Sequence, residues 1–285
     1  MAGEQTRAAV FVQPEWLRQV PTGRRFPDGA RLLFTGCGTS FHAAQTGGEA
    51  VQALELLQRP DRDADVLVVI SHEGDTPTTL AAARAWTRGP RWLITGKPDS
   101  PLGELCEEVV VATPAVEESW CHSASYTCAV AAIAALKGED VSWLAGAVAD
   151  VLRGERFPVS DHERWLVAGA GREWVTAQEA ELKLREGVYV PAEAHHTEQL
   201  LHGYLAAVDE SWRAFVLDGP AADRAVRALE ELGVAATLVP SVHPVVDIVR
   251  FHLLVLDLAE ARGVNPDRIR RDDDRWARAA EAARP

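Results

Sequence analysis

Two segments of the chain place glycine and hydroxyl side chains directly after an apolar run. The first, Cys37-Gly38-Thr39-Ser40, follows residues 31–35, and the second, from Ser71 to Thr76, follows residues 65–70. A glycine turn that opens a helix directs free backbone N–H groups and hydroxyls at one point, which suits a polar or anionic ligand. Each segment alone is also typical of a capped turn, with Thr76 as the N-cap of the second. Together they favour a ligand site.

Ionisable side chains in the second half of the chain supply groups that can hold a proton. Lys183 stands three residues before Glu186, so the two lie on one face of a helix predicted near residues 176–189. His202 follows in a predicted loop. A carboxylate and an imidazole at one site could act as general base and general acid. Taken singly, Glu186 is more typical of a solvated helix surface and His202 of an ordinary loop.

The other histidines and the cysteines predict no metal site. His195 and His196 lack a third ligand at useful spacing and are expected in a loop. His252, among apolar neighbours, is expected to be a helix residue with its hydrogen bonds satisfied, and His243 is expected to cap a turn before Pro244. The four cysteines are scattered without CxxC spacing, so we expect neither zinc nor disulfides.

Apolar runs alternate with amphipathic segments, which predicts parallel sheets covered by helices on both faces. Strands are predicted near residues 31–35, 65–70, 91–95, 108–112, 165–168, 214–217 and 235–239, one helix over 41–57, and a loop with a short helix over 264–285. Both halves open with an apolar strand that ends in a G-x-G turn. The sequence therefore predicts two similar α/β domains, residues 1–152 and 153–285. Open sheets bind ligands beyond the carboxyl ends of their strands, where both glycine segments fall.

Composition and charge exclude several classes of partner. The 285 residues are 47% hydrophobic and 25% charged, which is typical of a globular protein. The formal net charge of −13 disfavours nucleic acids and anionic membrane surfaces, because both attract basic proteins. The first ten residues lack the apolar core of a signal peptide, and no apolar run is long enough to cross a bilayer. We therefore expect a cytoplasmic protein with no nucleic-acid or membrane partner.

Several segments resemble those of a known family. Cys37-Gly38-Thr39-Ser40 is similar to the C-G-T-S segment in the isomerase half of glucosamine-6-phosphate synthase, and Ser71–Thr76 resembles that family's S-x-S-G-x-T phosphate loop. Residues 121–127, around Tyr126, resemble a third segment of these sugar isomerase (SIS) proteins, one that also lines the sugar site in that family. The closest resemblance is to the isomerase signature E-x-x-L-K-L-K-E … Y … A-E-A … K-H-G. It is carried by Glu179-Ala-Glu-Leu-Lys183-Leu-Arg-Glu186, Tyr189, Ala192-Glu193-Ala194 and His202-Gly203.

The resemblance implies two tandem flavodoxin-like SIS domains, each a parallel sheet flanked by helices, and a homodimer with shared active sites. It implies that Glu186 moves a proton between C1 and C2 of an open-chain sugar or amino sugar. His202, reaching in from the partner subunit, would assist ring opening or protonate an oxygen. Lys183 would bind the C1 hydroxyl or favour the charged form of the glutamate. Neither metal nor cofactor is implied. The residues expected to bind the sugar are Cys37, Gly38, Thr39, Ser40, Ser71, His72, Glu73, Thr76, Ser123 and Arg271.

Two positions depart from the family's pattern. Glu73 stands where the second hydroxyl of the phosphate loop is expected, and a carboxylate there would repel a phosphate dianion but accept hydrogen bonds from sugar hydroxyls. We therefore expect an unphosphorylated sugar end. Arg271, counted from Pro266, falls where the synthase has a lysine that forms a Schiff base. An arginine stays protonated and cannot serve as that nucleophile.

Three functional hypotheses follow from the resemblance. The first is a deglycase or deaminase that acts on an amino sugar or a fructosamine (Amadori) compound, in which isomerisation gives an enolamine with the amine on C1 and water then replaces the amine. The second is an aldose–ketose isomerase. The third is a non-catalytic sugar-binding regulator, against which the pair Glu186 and His202 argues. No glutaminase-like segment precedes the similarity, so we expect no glutamine-dependent synthase activity.

Overall fold

The computed structural model describes residues 3–283, in which strands and helices alternate along most of the chain. The elements of the first half are α1 (Glu4–Leu17), β1 (Leu32–Gly36), α2 (Thr39–Gln45), β2 (Ala50–Gln52), α3 (Ala53–Gln58), β3 (Val66–Ile70), α4 (Pro77–Ala85), β4 (Arg91–Thr95), α5 (Pro101–Leu105), β5 (Glu108–Val111), α6 (Ala124–Lys137) and α7 (Leu144–Arg153). Those of the second half are β6 (Arg164–Gly169), α8 (Arg172–Val188), β7 (Ala192–His196), α9 (Thr197–Leu201), β8 (Trp212–Leu217), α10 (Ala222–Glu231), β9 (Ala235–Val239), α11 (Pro244–Arg262) and α12 (Asp274–Ala282).

The strands form two sheets, and every strand pair within the described residues is parallel. The first sheet has the order β2-β1-β3-β4-β5, which is the flavodoxin-like order, and the second has the order β7-β6-β8-β9. Every residue of β3 and of β8 is buried. Strands covered on both faces by helices need continuous apolar sequence, which is why these runs were visible in the sequence. The predicted α/β class with parallel sheets flanked by helices is confirmed.

The two sheets share one apolar interior. A single cluster of buried side chains includes Phe34 and Ile94 from the first sheet and Trp165 and Phe215 from the second. Helix α6 is buried all round from Ala124 to Leu136, as expected for a helix at the centre of a core. Helix α8 of the second half packs against both α11 and α2, and α2 follows the first strand. This packing brings the first glycine segment next to α8.

The predicted helix over residues 41–57 is wrong. The structure has α2, the three-residue strand β2 and then α3, because the chain turns at Gly47 and Gly48. A Cβ atom on Gly47 would lie 2.4 Å from the ring of Phe34, and Gly48 has a φ of 140°. Strand β2 then pairs with β1 at the sheet edge, with Ala50 opposite Phe34.

The prediction that His195 and His196 lie in a loop is also wrong, because both residues belong to strand β7. The division into domains at residues 152 and 153 stays a prediction. Helix α7 ends at Arg153, and β6 begins at Arg164. No helix in the described part of the chain is long and apolar enough to span a bilayer.

The C-terminal tail is a loop followed by the short helix α12, as predicted. It is tied to the start of the chain by Asp267, whose carboxylate accepts the N–H and the hydroxyl of Thr6 at 2.8 Å each. Ile269 and Arg270 then adopt left-handed φ angles of 45° and 61°. A β-branched residue rarely occupies that region, so the tail is held in a strained path that passes over the first half of the chain.

Candidate functional site

A cavity of about 410 Å³ lies at the carboxyl edge of the first sheet. It is lined by both glycine segments, by the ends of β4 and β5, by the start of α6, by α8 and by the C-terminal tail. Its polar and charged lining residues are Cys37, Thr39, Ser40, His72, Glu73, Asp75, Thr76, Thr95, Thr113, Trp120, His122, Ser125, Tyr126, Glu186 and Arg271. The carboxyl edge of a parallel sheet is the usual place for a ligand, so this cavity is the candidate site.

The first glycine segment opens α2 and is tied to α8. Gly38 is the N-cap of α2 with a φ of 55°, a conformation that favours glycine. The hydroxyl of Thr39 donates to Glu179 Oε1 at 3.1 Å, and the thiol of Cys37 lies 3.3 Å from the hydroxyl of Thr79. Two of the predicted sugar-binding residues therefore line the cavity while their side chains already contact the protein.

The second glycine segment is a closed turn that opens α4. The hydroxyl of Ser71 accepts the N–H of Gly74 at 3.2 Å, and Thr76 is the N-cap, with Pro77 at the first helical position as predicted. A side chain at Gly74 is excluded, because its Cβ would lie 2.0 Å from the hydroxyl of Ser100. Glu73 is exposed on the cavity wall. Ser71 is buried behind that wall.

A network of side chains with alternating charges extends along α8 to the cavity. The ammonium of Lys183 is 2.7 Å from Glu186 Oε2 and 3.4 Å from Glu179 Oε1. Glu179 Oε2 is in turn 2.7 Å from Nδ1 of His42 on α2. Lys183 and Glu179 are buried, whereas the side chain of Glu186 remains 24% exposed and lines the cavity. Glu186 is therefore the end of this network that a ligand can reach.

The buried members of this network stay charged because they compensate one another. Burial lowers the pKa of Lys183, but the negative charges of Glu186 and Glu179 outweigh it and raise the pKa well above its usual value. Burial raises the pKa of Glu179, but Lys183 and the hydrogen bond from His42 bring it below its usual value. A fixed ammonium beside Glu186 holds that carboxylate in one place and stabilises its negative charge.

The residues just before α6 and in its first turn are held by hydrogen bonds to the buried carboxylate of Glu117. Its two oxygens accept the N–H groups of Ser123 at 2.7 Å and Ser125 at 2.8 Å. Burial raises the pKa of Glu117, but His122 and these helix N–H groups lower it to about 2. The backbone N–H of Glu117 donates to Nε2 of His72 at 2.8 Å. Burial and the neighbouring His122 lower the pKa of His72 to about 4, so its ring is neutral near pH 7.

Four predicted site residues do not line the cavity of this chain. Ser71 and Ser123 are buried, and the Ser123 hydroxyl donates to the carbonyl of Cys121. Lys183 lies behind Glu186. His202 is on the surface, with its side chain 70% exposed and Nε2 3.0 Å from Glu198. The other predicted binding residues, Cys37, Gly38, Thr39, Ser40, His72, Glu73, Thr76 and Arg271, line the cavity together with Glu186.

Sequence reasoning expected the segment around Tyr126 at the sugar site, but it did not single out His122 and it missed Thr113. The hydroxyls of Thr113 and Tyr126 and Nδ1 of His122 are buried and have no hydrogen-bond partner among the described residues. Tyr126 and His122 fall in the segment 121–127 that resembles the family, which was the available signal. Trp120 packs under the guanidinium of Arg271, whose Cζ is 4.8 Å from the ring centroid. This cation–π contact holds the tail against the cavity.

Two expectations about other histidines have different outcomes. His243 caps α11 through Nδ1, which accepts the N–H of Val245 at 3.2 Å, so the predicted cap is confirmed. His252 was expected to have its hydrogen bonds satisfied, and this is wrong, because both ring nitrogens are buried without a partner in the described structure. Burial and the charge of Lys183 lower the pKa of His252 to about 4. The ring therefore packs as a neutral group beside the network of α8.

Comparisons with known proteins agree with this fold. In an alignment of 312 residues, gaps included, the chain is 24% identical to the glutamine–fructose-6-phosphate aminotransferase [isomerizing] of Gloeobacter violaceus. This alignment covers 86% of this chain and 51% of that protein. The C-terminal domain of glucosamine-fructose-6-phosphate aminotransferase from Francisella tularensis superposes with a TM-score of 0.79 and 20% identity, over 93% of this chain and 98% of that one. The chain has the sugar isomerase (SIS) fold. The resemblance to the isomerase half of the synthase is thereby confirmed.

A second solved structure with a similar fold is named as a deaminase, not as an aminotransferase. Glucosamine-6-phosphate deaminase from Thermotoga maritima superposes with a TM-score of 0.75 and 18% identity, over 93% of this chain and 97% of that one. No protein-family model matches the chain. The chain spans about half the length of the curated relatives it matches. At these identities the structural likeness establishes the fold and leaves the activity to be argued from the site.

Replacing Lys183 tests whether the buried network is held by charge compensation. Lys183→Met removes the ammonium and leaves Glu179 buried without its main counter-charge, so we expect a loss of about 3–5 kcal/mol in the free energy of unfolding. Arg185→Met on the same helix removes an exposed cation beside Glu181 and should cost about 1 kcal/mol or less. Urea unfolding of the three proteins measures the difference. Equal losses in the two variants would contradict the charge argument.

Proposed function

We propose that the chain catalyses proton transfer between C1 and C2 of an open-chain sugar derivative, with Glu186 as the group that carries the proton. The observation that supports this most is the placement of Glu186 on the cavity wall, 2.7 Å from a buried ammonium. A positioned carboxylate can take a proton from one carbon and return it to its neighbour. Lys183 keeps that carboxylate oriented towards the cavity before the reaction.

The charges around the cavity support a substrate that carries an amine. Three carboxylates, those of Glu73, Asp75 and Glu186, line it, against the one guanidinium of Arg271. Such a surface favours a cationic or hydroxyl-rich ligand over an anionic one. The first choice is therefore a deglycase or deaminase acting on an amino sugar or a fructosamine. Proton transfer to C2 places an imine at C1, and hydrolysis of that imine releases the amine.

The second candidate is an aldose–ketose isomerase. The name of the Gloeobacter relative includes an isomerising activity, and the same transfer by Glu186 without loss of an amine would interconvert an aldose and a ketose. Incubation with paired fructosamines, with and without a 6-phosphate, separates the candidates. A deglycase releases free amine and aldose, whereas an isomerase leaves the amine in place and interconverts simple sugars.

Glu186→Gln tests the role of the carboxylate. The amide has the same shape but cannot take up the proton, so we expect turnover to fall by about 10²–10⁴-fold while substrate still binds. Glu181→Gln on the same helix is the matched control and should keep the wild-type rate. Turnover and binding are measured on the substrate that the wild-type protein consumes. A near-wild-type rate in Glu186→Gln would show that Glu186 does not carry the proton.

We also propose that the active unit is a homodimer in which His202 completes the partner's cavity. This is supported by the exposed position of His202, whose Nε2 lies 3.0 Å from Glu198 and whose side chain does not line the cavity of its own chain. Mixing inactive Glu186→Gln and His202→Ala subunits should restore part of the activity, because one hybrid site would contain both intact residues. Subunit exchange is verified with differently tagged chains. Verified exchange without recovery would contradict the shared site.

Glu73→Ser tests the preference for an unphosphorylated sugar end. The wild-type carboxylate repels a phosphate dianion at the second glycine segment, and serine would instead supply a hydroxyl there. We expect the ratio of kcat/KM for the 6-phosphate to that for the unphosphorylated substrate to rise at least about tenfold. Glu231→Ser, an exposed change on α10 away from the cavity, should leave the ratio unchanged. A wild-type protein that strongly prefers the phosphorylated substrate would refute this assignment of Glu73.

A further inference from the structure

The cavity contains a second histidine, His122, whose two ring nitrogens have different surroundings. Nδ1 is buried, makes no hydrogen bond and lies 3.7 Å from Glu117 Oε2. The side chain is 26% exposed and lines the cavity, and Nε2 is left accessible from it. The ring therefore presents one nitrogen to a ligand and turns the other towards a carboxylate.

The Glu117 carboxylate is fixed independently of His122. Its oxygens are held by the backbone N–H groups of Ser123 and Ser125 at the start of α6. Nδ1 of His122 lies 3.7 Å from Oε2 of this carboxylate, just beyond hydrogen-bond distance. The negative charge of Glu117 then offsets the positive charge that the ring acquires with a second proton. This arrangement of a histidine backed by a buried carboxylate is one that orients and supports a general acid.

The other histidine of the cavity is not available for this role. Nε2 of His72 already accepts the N–H of Glu117 at 2.8 Å, and burial and the nearby His122 lower the pKa of its ring to about 4. The rings of His72 and His122 meet edge to face, with centroids 5.5 Å apart. His72 thus helps to fix the loop that carries Glu117 and packs against His122.

We propose that His122 is a catalytic acid–base residue that protonates the substrate oxygen at C2, with Glu117 as the residue that positions it. The proposal rests on the proposed C1–C2 proton transfer, for which the carbon base alone is insufficient. It places this acid in the same chain as Glu186, in addition to any histidine that a partner subunit contributes. His122 and Glu186 both line the cavity, so a single ligand there can reach both side chains.

With a fructosamine as substrate, the reaction begins at C1, the carbon that carries the amine. Glu186 takes a proton from C1, and the C1–H electron pair forms the C1–C2 double bond as the C2 oxygen takes a proton from Nε2 of His122. Glu186 returns its proton to C2, and the nitrogen lone pair forms the C1–N double bond of an iminium ion. Water adds to C1 and loses a proton to His122. His122 gives that proton to the nitrogen, and the C1–N bond breaks as the C1 hydroxyl loses its proton to His122 and becomes the carbonyl. Aldose and free amine leave, and His122 is protonated as at the start.

The experiment compares wild-type protein with His122→Ala on a fructosamine that the wild type consumes. We expect turnover by His122→Ala to fall by about 10²–10⁴-fold, the usual contribution of a positioned acid–base group. Added imidazole fits the space left by the ring and should restore activity by at least about tenfold. His162→Ala, in the segment between α7 and β6, should keep wild-type turnover and show no response to imidazole. His122→Asn, which keeps a polar group of similar size, should be inactive, with wild-type circular dichroism and thermal unfolding.

Loss of turnover with recovery in imidazole supports the proposal, because a purely structural role would not respond to a free acid–base molecule. Wild-type turnover in His122→Ala overturns it and leaves the role of Glu186 intact. Loss of turnover without recovery in imidazole also overturns it. If wild-type protein itself consumes none of the fructosamines, amino sugars or simple sugars, the proposed function falls first, and the role of His122 falls with it.

Discussion

Lys183 carries a positive charge in the interior of the chain, and much of the candidate site depends on how that charge is balanced. Its ammonium lies between Glu186 at 2.7 Å and Glu179 at 3.4 Å. A buried ion costs several kcal/mol unless partners compensate it, so neither carboxylate can move far without a penalty. Glu179 also accepts from Thr39 and pairs with His42. One compensated charge therefore joins the first glycine segment, α2 and α8, and fixes Glu186 at the cavity wall.

The sequence correctly predicted the strands whose apolar residues form a continuous run and are buried in the structure. Strands β3 and β8 are covered on both faces, so their apolar runs were unambiguous. Strand β2 has only three residues and lies at a sheet edge. The sequence of β7 is Ala-Glu-Ala-His-His, so neither strand has the apolar pattern of a central strand. Both were missed for that reason, since pairing with the strands β1 and β6 forms them rather than their own propensity.

The residues whose roles the sequence did not indicate form hydrogen bonds with residues that are far away along the chain. Glu179 and His42 are 137 positions apart, and Glu117 is joined to His72 across 45 positions. A glutamate next to another glutamate, as in Glu117-Glu118, is typical of a solvated loop, and nothing local indicates that one of them is buried at a helix start. Lys183 and Glu186 were identifiable because they stand in the segment that resembles the isomerase signature, and their spacing puts them on one helix face, where pairing is a local property.

The chain's own carboxylates occupy places where a fold of this kind can hold an anion. The start of α6 offers free N–H groups and the positive end of a helix dipole, and Glu117 already binds there. The second glycine segment offers the start of α4, and Glu73 stands beside it. Of these two carboxylates only that of Glu73 lines the cavity, so an anionic group of a ligand at the start of α4 would meet a negative charge, whereas a hydroxyl or an amine would meet an acceptor. The same sheet and loops can therefore carry different ligand preferences, because the charge of a side chain such as Glu73 at a strand end, and not the backbone, determines which groups are repelled there.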